Sequence, residues 1–413
     1  MRPLADAQRD VLAAMPALPA MSTSIRESLG LVLAEPVVAS HDLPPFPNSA
    51  MDGYAVRHAD LASIPAELPV LEDVPAGSVA TMAVAPGTAI KIMTGAPLPD
   101  GADTVVRVED TEPGERSVRV LAAPDRGTSV RAAGGDIEAG TVVVAAGERL
   151  APAHLGLLSS LGVTAPVVAR RPRVAVMSTG DEVVAPETAV LEPGKIRDSN
   201  RFVLHGVLTE LGAEILDFGI IGDDADLIGE TLRKAADEAD VVVTSGGVSM
   251  GEYDLIKQEL TKLGTVDFWQ VAMQPAKPFA FGAIGGVPLF GLPGNPVSVF
   301  VAFEQFLRPA LLRMMGARRL FRPRTAGVLA ERVETDAEKT VFVRVALASA
   351  DDGAFRVTRS GGQGSNVLSA LAAADAFGVV PVGVGALDEG DLVTLELFRA
   401  AETRTSEEAL GGG

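Results

Sequence analysis

Between residues 173 and 314 the chain alternates short, wholly apolar runs with longer amphipathic segments, and this alternation restricts its fold most. The apolar runs predict strands at 173–177, 213–219, 241–244, 266–272 and 287–290. Helical periodicity predicts helices at 200–211, 226–236, 255–263 and 296–314. Strands that are apolar on both faces must be covered on both faces, so the pattern predicts a three-layer αβα domain built on a parallel sheet.

The segments outside this region have a different texture. Residues 45–145 alternate short β-type runs with Gly/Pro turns, which predicts a small, mostly β domain. After Arg322 the β pattern returns and fits a small barrel or sandwich. Helical segments are predicted at 3–14 and 152–161, and the capping-box spacing of Ser24 and Glu27 predicts one more helix.

The composition of the chain argues against several classes of function and of metal site. A net charge of −19 argues against a general nucleic-acid binder, which needs a basic face. The chain has no cysteine, which excludes disulfides, thiolate zinc sites, iron–sulfur clusters and a cysteine nucleophile. Its histidines are scattered without ligand spacing, so any metal is expected to be a hard cation, magnesium first, held by carboxylates and phosphate.

Nothing in the sequence predicts a membrane segment. No apolar run reaches the roughly 18 residues that a membrane span needs, and Asp6, Arg9 and Asp10 interrupt the N-terminal segment, which is therefore not expected to be a signal peptide. We expect a soluble cytoplasmic protein.

Ligands bind at the carboxyl ends of the strands in an open parallel sheet, and three such ends carry unusual loops. Residues 178–182 (S-T-G-D-E) place hydroxyls and carboxylates there. Residues 244–254 contain paired glycines flanked by hydroxyls, a pattern that suits phosphate, with Asp254 where it could hold a metal. Residues 291–296 (G-L-P-G-N-P) form a proline-stiffened turn in which Asn295 can cap a helix. Each loop is also compatible with an ordinary cap or turn.

Further polar residues lie on stiff loops elsewhere. Lys277 stands between two prolines and could hold an oxyanion or simply be a solvated surface lysine. In the small domain, proline-rich residues 44–56 fix Asp52, although a strand-entry turn with a surface aspartate explains them as well. Thr94 and Asp136 lie on two more Gly-containing turns. A phosphate-holding loop with scattered carboxylates indicates magnesium-assisted chemistry on an anionic phosphoester.

Six motifs, taken in order, resemble those of the MoeA family of molybdopterin molybdenumtransferases, to which the E domain of gephyrin also belongs. They are S-A-M-D-G-Y-A (49–55), I-M-T-G-A-P-L-P (92–99), R-A-A-G-G-D (131–136), S-T-G-D-E (178–182), S-G-G-V-S-M-G (245–251) and L-P-G-N-P (292–296). None is specific alone, but six in this order cover nearly the whole chain and are highly specific together.

The resemblance implies an elongated homodimer of four-domain chains. The implied domains are a discontinuous helical and extended linker domain, a small mostly-β domain, a parallel-sheet domain like that of molybdopterin adenylyltransferase, and a C-terminal β-barrel, followed by a frayed tail. Their boundaries are 1–44 with 146–172, 45–145, 173–321, 322–400 and 401–413, respectively.

The implied reaction uses adenylylated molybdopterin, molybdate and a divalent cation, which we expect to be Mg²⁺. The adenylyl phosphoanhydride is cleaved, AMP is released, and molybdenum is placed on the dithiolene. The loops 178–182, 244–254 and 291–296 at the carboxyl ends of the parallel strands are called here the crest loops. In an elongated dimer, Asp52 of one subunit and the crest loops of the other are expected to meet in a shared site.

Site residues are implied motif by motif. The catalytic residues would be Asp52, Thr94, Asp136, Glu182 and Asp254, and the metal ligands Glu182, Asp223, Asp224 and Asp254. The substrate-binding residues would be Ser245, Gly246, Gly247, Ser249, Lys277, Pro293, Asn295, Pro296, Arg344 and Ser365. The chain departs from the family at Gln274 and Ala276, where many members have K-P-G-K-P, so one cationic contact to molybdate is missing or supplied elsewhere.

Two other functions compete with this interpretation. The preceding molybdopterin adenylyltransferase would share the parallel-sheet domain but has no need for the M-D-G-Y and R-A-A-G-G-D segments. A non-catalytic scaffold like the E domain of gephyrin would not need to keep nearly every acidic site residue.

Overall fold

The computed structural model describes residues 1–246, 255–350 and 353–399 of the 413-residue chain. Its central element is a six-stranded sheet with the strands in the order Glu214–Ile221, Arg173–Thr179, Val241–Ser245, Val287–Leu292, Pro278–Ile284 and Gly264–Gln270. The first four strands of this order are parallel, as the sequence predicts. No helix in the described part of the chain has the length and apolar character to cross a bilayer.

Helices cover both faces of this sheet and form the three predicted layers. On one face Asn200–Leu211 and Pro296–Ala302 bury residues such as Leu204 and Val299 against Val174 and Val243. On the other face Ala225–Glu238 and Leu255–Leu263 lie over the sheet, with Ile228 packed among Ala175 and Val242. Alternate residues of each strand point to opposite layers, which is why both faces had to be apolar.

The fifth strand of this order, Pro278–Ile284, was not predicted from the sequence, and it forms an antiparallel hairpin with Val287–Leu292. Pro278–Ile284 pairs antiparallel with both Val287–Leu292 and Gly264–Gln270. The two-residue turn between Ile284 and Val287 is Gly285–Gly286, and both glycines have positive φ, +58° and +88°. This is the turn chemistry that two-residue hairpins need, so the Gly-Gly pair was a local signal for it.

Residues 45–145 contain a second six-stranded sheet. Its strands run in the order Thr104–Arg107, Gly53–Val56, Ala89–Ile92, Ala66–Val74, Ser117–Val120 and Thr111–Pro113. Short 3-10 turns are His58–Leu61 and Val108–Asp110, and a separate two-stranded ladder joins Asn48–Ser49 to Val130–Arg131.

Two distant stretches of the chain meet beside the central domain. Ala20–Ser22 pairs with Val167–Ala169, and Val37–Val38 pairs with Val142–Val144. The helix of this region is Pro152–Ser160, whereas the N-terminal helix Leu4–Ala14 packs on the central domain, where Ala7 and Val11 belong to the core.

The helix predicted after Ser24 is wrong. The Ser24 hydroxyl does bond the Glu27 carboxylate at 2.8 Å, but residues 25–30 form turns that end at Gly30, which has φ +76°. The Gly30 amide then bonds the Leu150 carbonyl, so tertiary pairing overrides the local capping signal.

The C-terminal segment closes into a five-stranded barrel. The strands follow one another in the order Thr340–Ser349, Phe355–Arg359, Arg324–Leu329, Leu392–Leu397 and Ala376–Val380, which pairs back with the first. Met273–Gln274 pairs in parallel with the beginning of Thr340–Ser349. Val333–Glu334 pairs with Ala386–Leu387, and Leu368–Ala372 forms a short helix. The predicted multi-domain α/β fold class is therefore confirmed.

Candidate active site

The order of the parallel strands creates a switch point at the middle of the central sheet. From Arg173–Thr179 the chain moves outward to Glu214–Ile221 and then crosses to Val241–Ser245 on the other side. Loops that leave neighbouring strands in opposite directions open a crevice there, which is where α/β sheets bind ligands. Ser178 pairs with Ser245, and Ser245 with Leu292, so three of the predicted motifs emerge side by side.

A cavity of about 300 Å³, called here the crest cavity, occupies this switch point. Among the predicted site residues, Glu182, Ser245, Gly246, Asn295 and Pro296 line it. Asn295 lies at the N-cap of Pro296–Ala302 but makes no side-chain capping bond, and its side chain is exposed. The side-chain amide of this residue is thus not used to cap the helix.

Sequence reasoning missed Asp198 and Asn200, which also line the crest cavity. The Asn200 amide nitrogen donates to the Ser245 hydroxyl at 2.8 Å and to the Gly294 carbonyl at 2.7 Å. It therefore ties two crest loops together. The signal was the polar run D-S-N at residues 198–200, where a helix is predicted to begin, and such a run resembles an ordinary cap.

Asp198 is buried and fixes the wall of the cavity on which Asn200 lies. Its carboxylate accepts the Ser178 hydroxyl at 3.0 Å and the Arg201 guanidinium at 2.9 Å. A buried carboxylate with charge-assisted partners holds a rigid position. The first turn of Asn200–Leu211 is thereby locked against the end of the strand Arg173–Thr179.

The predicted metal ligands are not gathered as a group in the described residues. Glu182 lies on the crest cavity, whereas Asp224 caps the helix Ala225–Glu238 by accepting the Leu227 amide at 3.0 Å. Asp223 instead faces Asp181, whose carboxylate accepts the Asp223 amide at 3.0 Å. No cluster of three acidic or histidine side chains suited to a metal occurs in the described ranges.

The structure joins the three motifs of the small domain into one surface, called here the Asp52 patch. Thr94 donates its backbone amide and its hydroxyl to the Asp52 carboxylate, both at 2.7 Å. Ser49 exchanges backbone bonds with the 95–96 turn and pairs with Val130. The backbone amide of the exposed Asp136 donates to the carbonyl of Leu43, a residue that precedes the Asp52 motif in the chain.

The Thr94 contacts hold the pKa of the Asp52 carboxyl below its usual range, the amide bond first and the hydroxyl bond second. A carboxylate with a lowered pKa contributes stability above its unfolded pKa and loses it as the pH falls through the folded pKa. Thr94→Val should therefore raise the pKa of Asp52 toward its usual value, measured by carbon NMR titration. Thr88→Val, whose hydroxyl bonds only the Ala85 carbonyl in the described residues, is the control. An unchanged Asp52 titration in Thr94→Val would refute the role of the hydroxyl.

Arg344 is a fully buried arginine in the barrel. Its Nη2 donates to the carbonyls of Gly362 and Gly364 at 2.9 and 3.2 Å, while Nε and Nη1 have no partner in the described residues. Burial lowers the pKa of its guanidinium, and no acidic side chain in the described ranges offsets the effect. A buried cation with two unpaired donors is costly unless an anion joins it.

A second cavity, of about 630 Å³, lies between the barrel and the 274–275 loop, and Arg344 and Gln274 both line it. Lys277 is exposed and lies near Asp336 of the barrel. The pKa of the Asp336 carboxyl is lowered first by its bond from Lys339, then by the Glu338 amide, and least by the charge of Lys277. Ala276, the departure from the family pattern, has φ +71°, a conformation that favours glycine.

Ser365 connects the barrel to the crest cavity. Its carbonyl accepts the Val297 amide at 3.1 Å, and the next residue, Asn366, lines the cavity. Pro293, also predicted, is buried behind the loop. Gly247, Ser249 and Asp254 lie outside the described residues, as does the tail 401–413.

In the described residues, no hydrogen bond or ion pair joins residues 45–145 to residues 173–399. The predicted residues thus form separate groups within one chain: the Asp52 patch, and the crest cavity with the adjoining barrel loop. Among the described residues, the hydrogen bonds of the Asp52 carboxylate come from Thr94 and none comes from a residue of the crest cavity.

Family models match most of the sequence in three consecutive parts. Residues 2–162 match the MoeA N-terminal region (domain I and II), 175–313 a probable molybdopterin binding domain, and 326–398 the MoeA C-terminal region (domain IV).

Individual proteins are similar over nearly the full chain. Molybdopterin molybdenumtransferase 2 of Mycobacterium tuberculosis is 39% identical over 93% of this chain and 96% of its own. Molybdopterin molybdenumtransferase of Nostoc sp. is 37% identical over 89% and 86%. The crystal structure of a molybdopterin biosynthesis MoeA protein from Pyrococcus horikoshii superposes with a TM-score of 0.84 at 30% identity, covering 96% of this chain and 100% of that one. By sequence and by fold, the chain belongs to the MoeA family.

Proposed function

We propose that this protein is a molybdopterin molybdenumtransferase, an enzyme of molybdenum cofactor biosynthesis. The observation that carries the proposal is the crest cavity at the switch point of the sheet, lined by residues of the family's motifs. Relatives with that name share more than a third of their residues with it over nearly the whole chain. The substrates proposed are adenylylated molybdopterin and molybdate.

The crest loops hold the phosphate-bearing part of the substrate in this proposal. Ser245 and Gly246 lie on the cavity, and the loop continues into Gly247 and Ser249, which carry the same motif. Hydroxyls and backbone N–H groups of a Gly-rich loop suit phosphate oxygens. The stiff Pro293–Pro296 turn supports the opposite wall, so the ligand meets donors that are already in place.

Magnesium is the proposed cofactor, and Glu182 is the proposed ligand that lines the crest cavity, whereas Asp224 caps a helix and Asp254 lies outside the described residues. Magnesium is usually held by one or two carboxylates together with substrate phosphates. Glu182 supplies such a carboxylate on the cavity wall, and Asp223, Asp224 and Asp254 are further proposed ligands. When bound, the ion neutralises phosphate charge and polarises the phosphoryl group.

Molybdate is proposed to bind beside the barrel, through Arg344, Lys277 and Ser365. The two unpaired guanidinium nitrogens of Arg344 support this assignment, because an oxyanion would satisfy them. Attack of water on the phosphoanhydride releases AMP and leaves molybdopterin with its own phosphate. The two dithiolene sulfurs then bind the molybdenum of molybdate, and an oxo ligand leaves as water with the two thiol protons.

A direct assay tests the function. Purified protein with adenylylated molybdopterin, Mg²⁺ and molybdate should release AMP and yield a product that activates a molybdenum-free apoenzyme. Incubation with molybdopterin, ATP and Mg²⁺ without molybdate should give no net adenylylated product. Net adenylylation there would identify the preceding enzyme of the pathway instead, and no AMP release with full binding would favour a scaffold.

We also propose a homodimer in which the Asp52 patch of one subunit completes the crest cavity of the other. The absence of bonds between these two groups among the described residues of one chain supports a shared site. Asp52→Ala and Glu182→Ala chains should each be inactive, and mixing them after subunit exchange should restore part of the AMP release. If exchange is demonstrated by mass spectrometry and no activity returns, the site is not shared.

Gly246 should tolerate no side chain. It has φ +94°, and a methyl group there would lie 2.8 Å from the Thr179 carbonyl oxygen. Gly246→Ala should lose about 1–2 kcal/mol of stability from the left-handed conformation and about 100-fold in AMP release from the displaced loop. Gly286→Ala is the matched control, since Gly286 has φ +88° with open space around it. Equal loss of activity in the two variants would contradict the proposed role of the crest loop.

A further inference from the structure

The long helix that begins at the crest cavity contains one irregular turn. Pro296–Ala302 and Arg308–Met314 are α-helical, but Phe303–Leu307 between them is a π-helix. A single π turn inside an α-helix often marks a functional position. All five residues of this turn are buried, and two of them, Glu304 and Gln305, are polar.

Each of these two polar residues bonds a different part of the chain. The Glu304 carboxylate accepts two bonds from Arg322, at 2.9 and 2.8 Å, where the chain enters the barrel. The Gln305 amide donates to the Glu396 carboxylate in the barrel strand Leu392–Leu397 at 2.8 Å. Gln8 of the N-terminal helix donates to Gln305 at 3.2 Å from the other side.

The same helix holds the barrel at its opposite end. Near the crest cavity, the Val297 amide donates to the Ser365 carbonyl at 3.1 Å, and Asn366 lines the cavity. Glu396 is itself fixed by Arg324, which donates to it at 2.6 and 3.0 Å. The barrel therefore contacts this helix at the cavity, at the π turn and, between them, where Phe300 packs against Phe377 and Phe398.

We propose that Gln305 is a positioning residue for the transferase reaction. Its bond to Glu396 fixes the barrel relative to the helix, so that Ser365 and Asn366 lie correctly over the crest cavity. The Gln305 amide has one well-defined geometry, because Arg324 bonds only Oε1 of Glu396 and the alternatives leave the buried Oε2 without its donor. The proposal rests on the function proposed above, since it assigns the barrel loop to the substrate site.

Two readouts test this role, one of them independent of activity. Gln305→Met keeps the side-chain length and removes the bonds. We expect the Val297 amide to exchange its hydrogen about tenfold faster, because its bond to the Ser365 carbonyl depends on the position of the barrel. The KM for molybdate should rise several-fold with kcat little changed. Gln8→Met, which removes only the contact to the N-terminal helix, should change neither.

Exchanging the two side chains distinguishes loss of the Gln305–Glu396 bond from general misfolding. Gln305→Glu places two buried carboxylates together and should disrupt the contact, whereas Gln305→Glu combined with Glu396→Gln restores one donor and one acceptor. We expect the double variant to recover both the slow Val297 exchange and the low KM. Unchanged exchange and KM in Gln305→Met, or failure of the swap to recover exchange in a folded protein, would overturn the proposal. If the wild type releases no AMP, the proposed function fails, while the exchange data still decide the role of Gln305.

Discussion

Arg344→Met should leave the fold about as stable as the wild type and yet abolish tight binding of molybdate. Methionine fills much of the same buried space without a charge. It relieves the desolvation of an unpartnered guanidinium but loses the two bonds to Gly362 and Gly364. We expect these effects to cancel to within about 1 kcal/mol. Loss of two charge-assisted bonds to the oxyanion should raise the KM for molybdate about 100-fold.

Urea unfolding and the molybdate dependence of AMP release measure the two effects separately. Arg399→Met is the control, because Arg399 is exposed at the end of the barrel, does not line the cavity beside Arg344, and donates its guanidinium to the Ala372 carbonyl. It should change the KM little. If Arg344→Met unfolds readily while the KM for molybdate stays at the wild-type value, Arg344 serves the barrel loop and not the substrate.

Asn200→Asp should separate the two crest loops and have an equally large effect on catalysis. The amide nitrogen that donates to Ser245 and Gly294 becomes a carboxylate oxygen, which cannot donate and which repels the Gly294 carbonyl. We expect the free energy of unfolding to fall by about 1–3 kcal/mol. AMP release should fall about 100-fold, the loss that a displacement near 1 Å produces.

Asn366→Asp separates the effect of charge from the effect of the lost bridge. It adds the same negative charge to the same cavity without breaking the Asn200 contacts. Both variants should be compared by thermal unfolding and by the rate of AMP release. Equal losses in the two would mean that charge repulsion of the phosphate, and not loop spacing, explains the Asn200 result.

Local patterns predicted most of the regular structure. The helices 200–211 and 255–263 have in the structure the bounds that the sequence predicts, and the β pattern after Arg322 corresponds to the five-stranded barrel. In these segments apolar periodicity and tertiary burial agree, so local and global preferences select the same conformation. The prediction of a helix after Ser24 failed because the Ser24–Glu27 bond that it relied on also forms in a series of turns, which residues 25–30 adopt.

The candidate site was predictable only motif by motif. The sequence marks Asp52, Thr94, Ser245 and Asn295 as separate residues on stiff turns. It gives no spacing from which to infer that Thr94 donates to Asp52 or that Ser178 pairs with Ser245. Such contacts depend on strand order and register, which are set by long-range pairing. The role of Asn200 could not be predicted for the same reason, because its partners Ser245 and Gly294 lie 45 and 94 residues away in the chain.

Sequence alone thus determined the fold class, the family resemblance and the identity of most residues in the motifs, because these depend on local periodicity and on residue types in order. Tertiary structure alone decided where the 173–314 alternation opens a cavity, which side chains meet there, and that Arg344 is buried without an acidic partner in the described residues. Burial and pairing are properties of the closed fold, since a charge is costly or useful only in relation to what surrounds it.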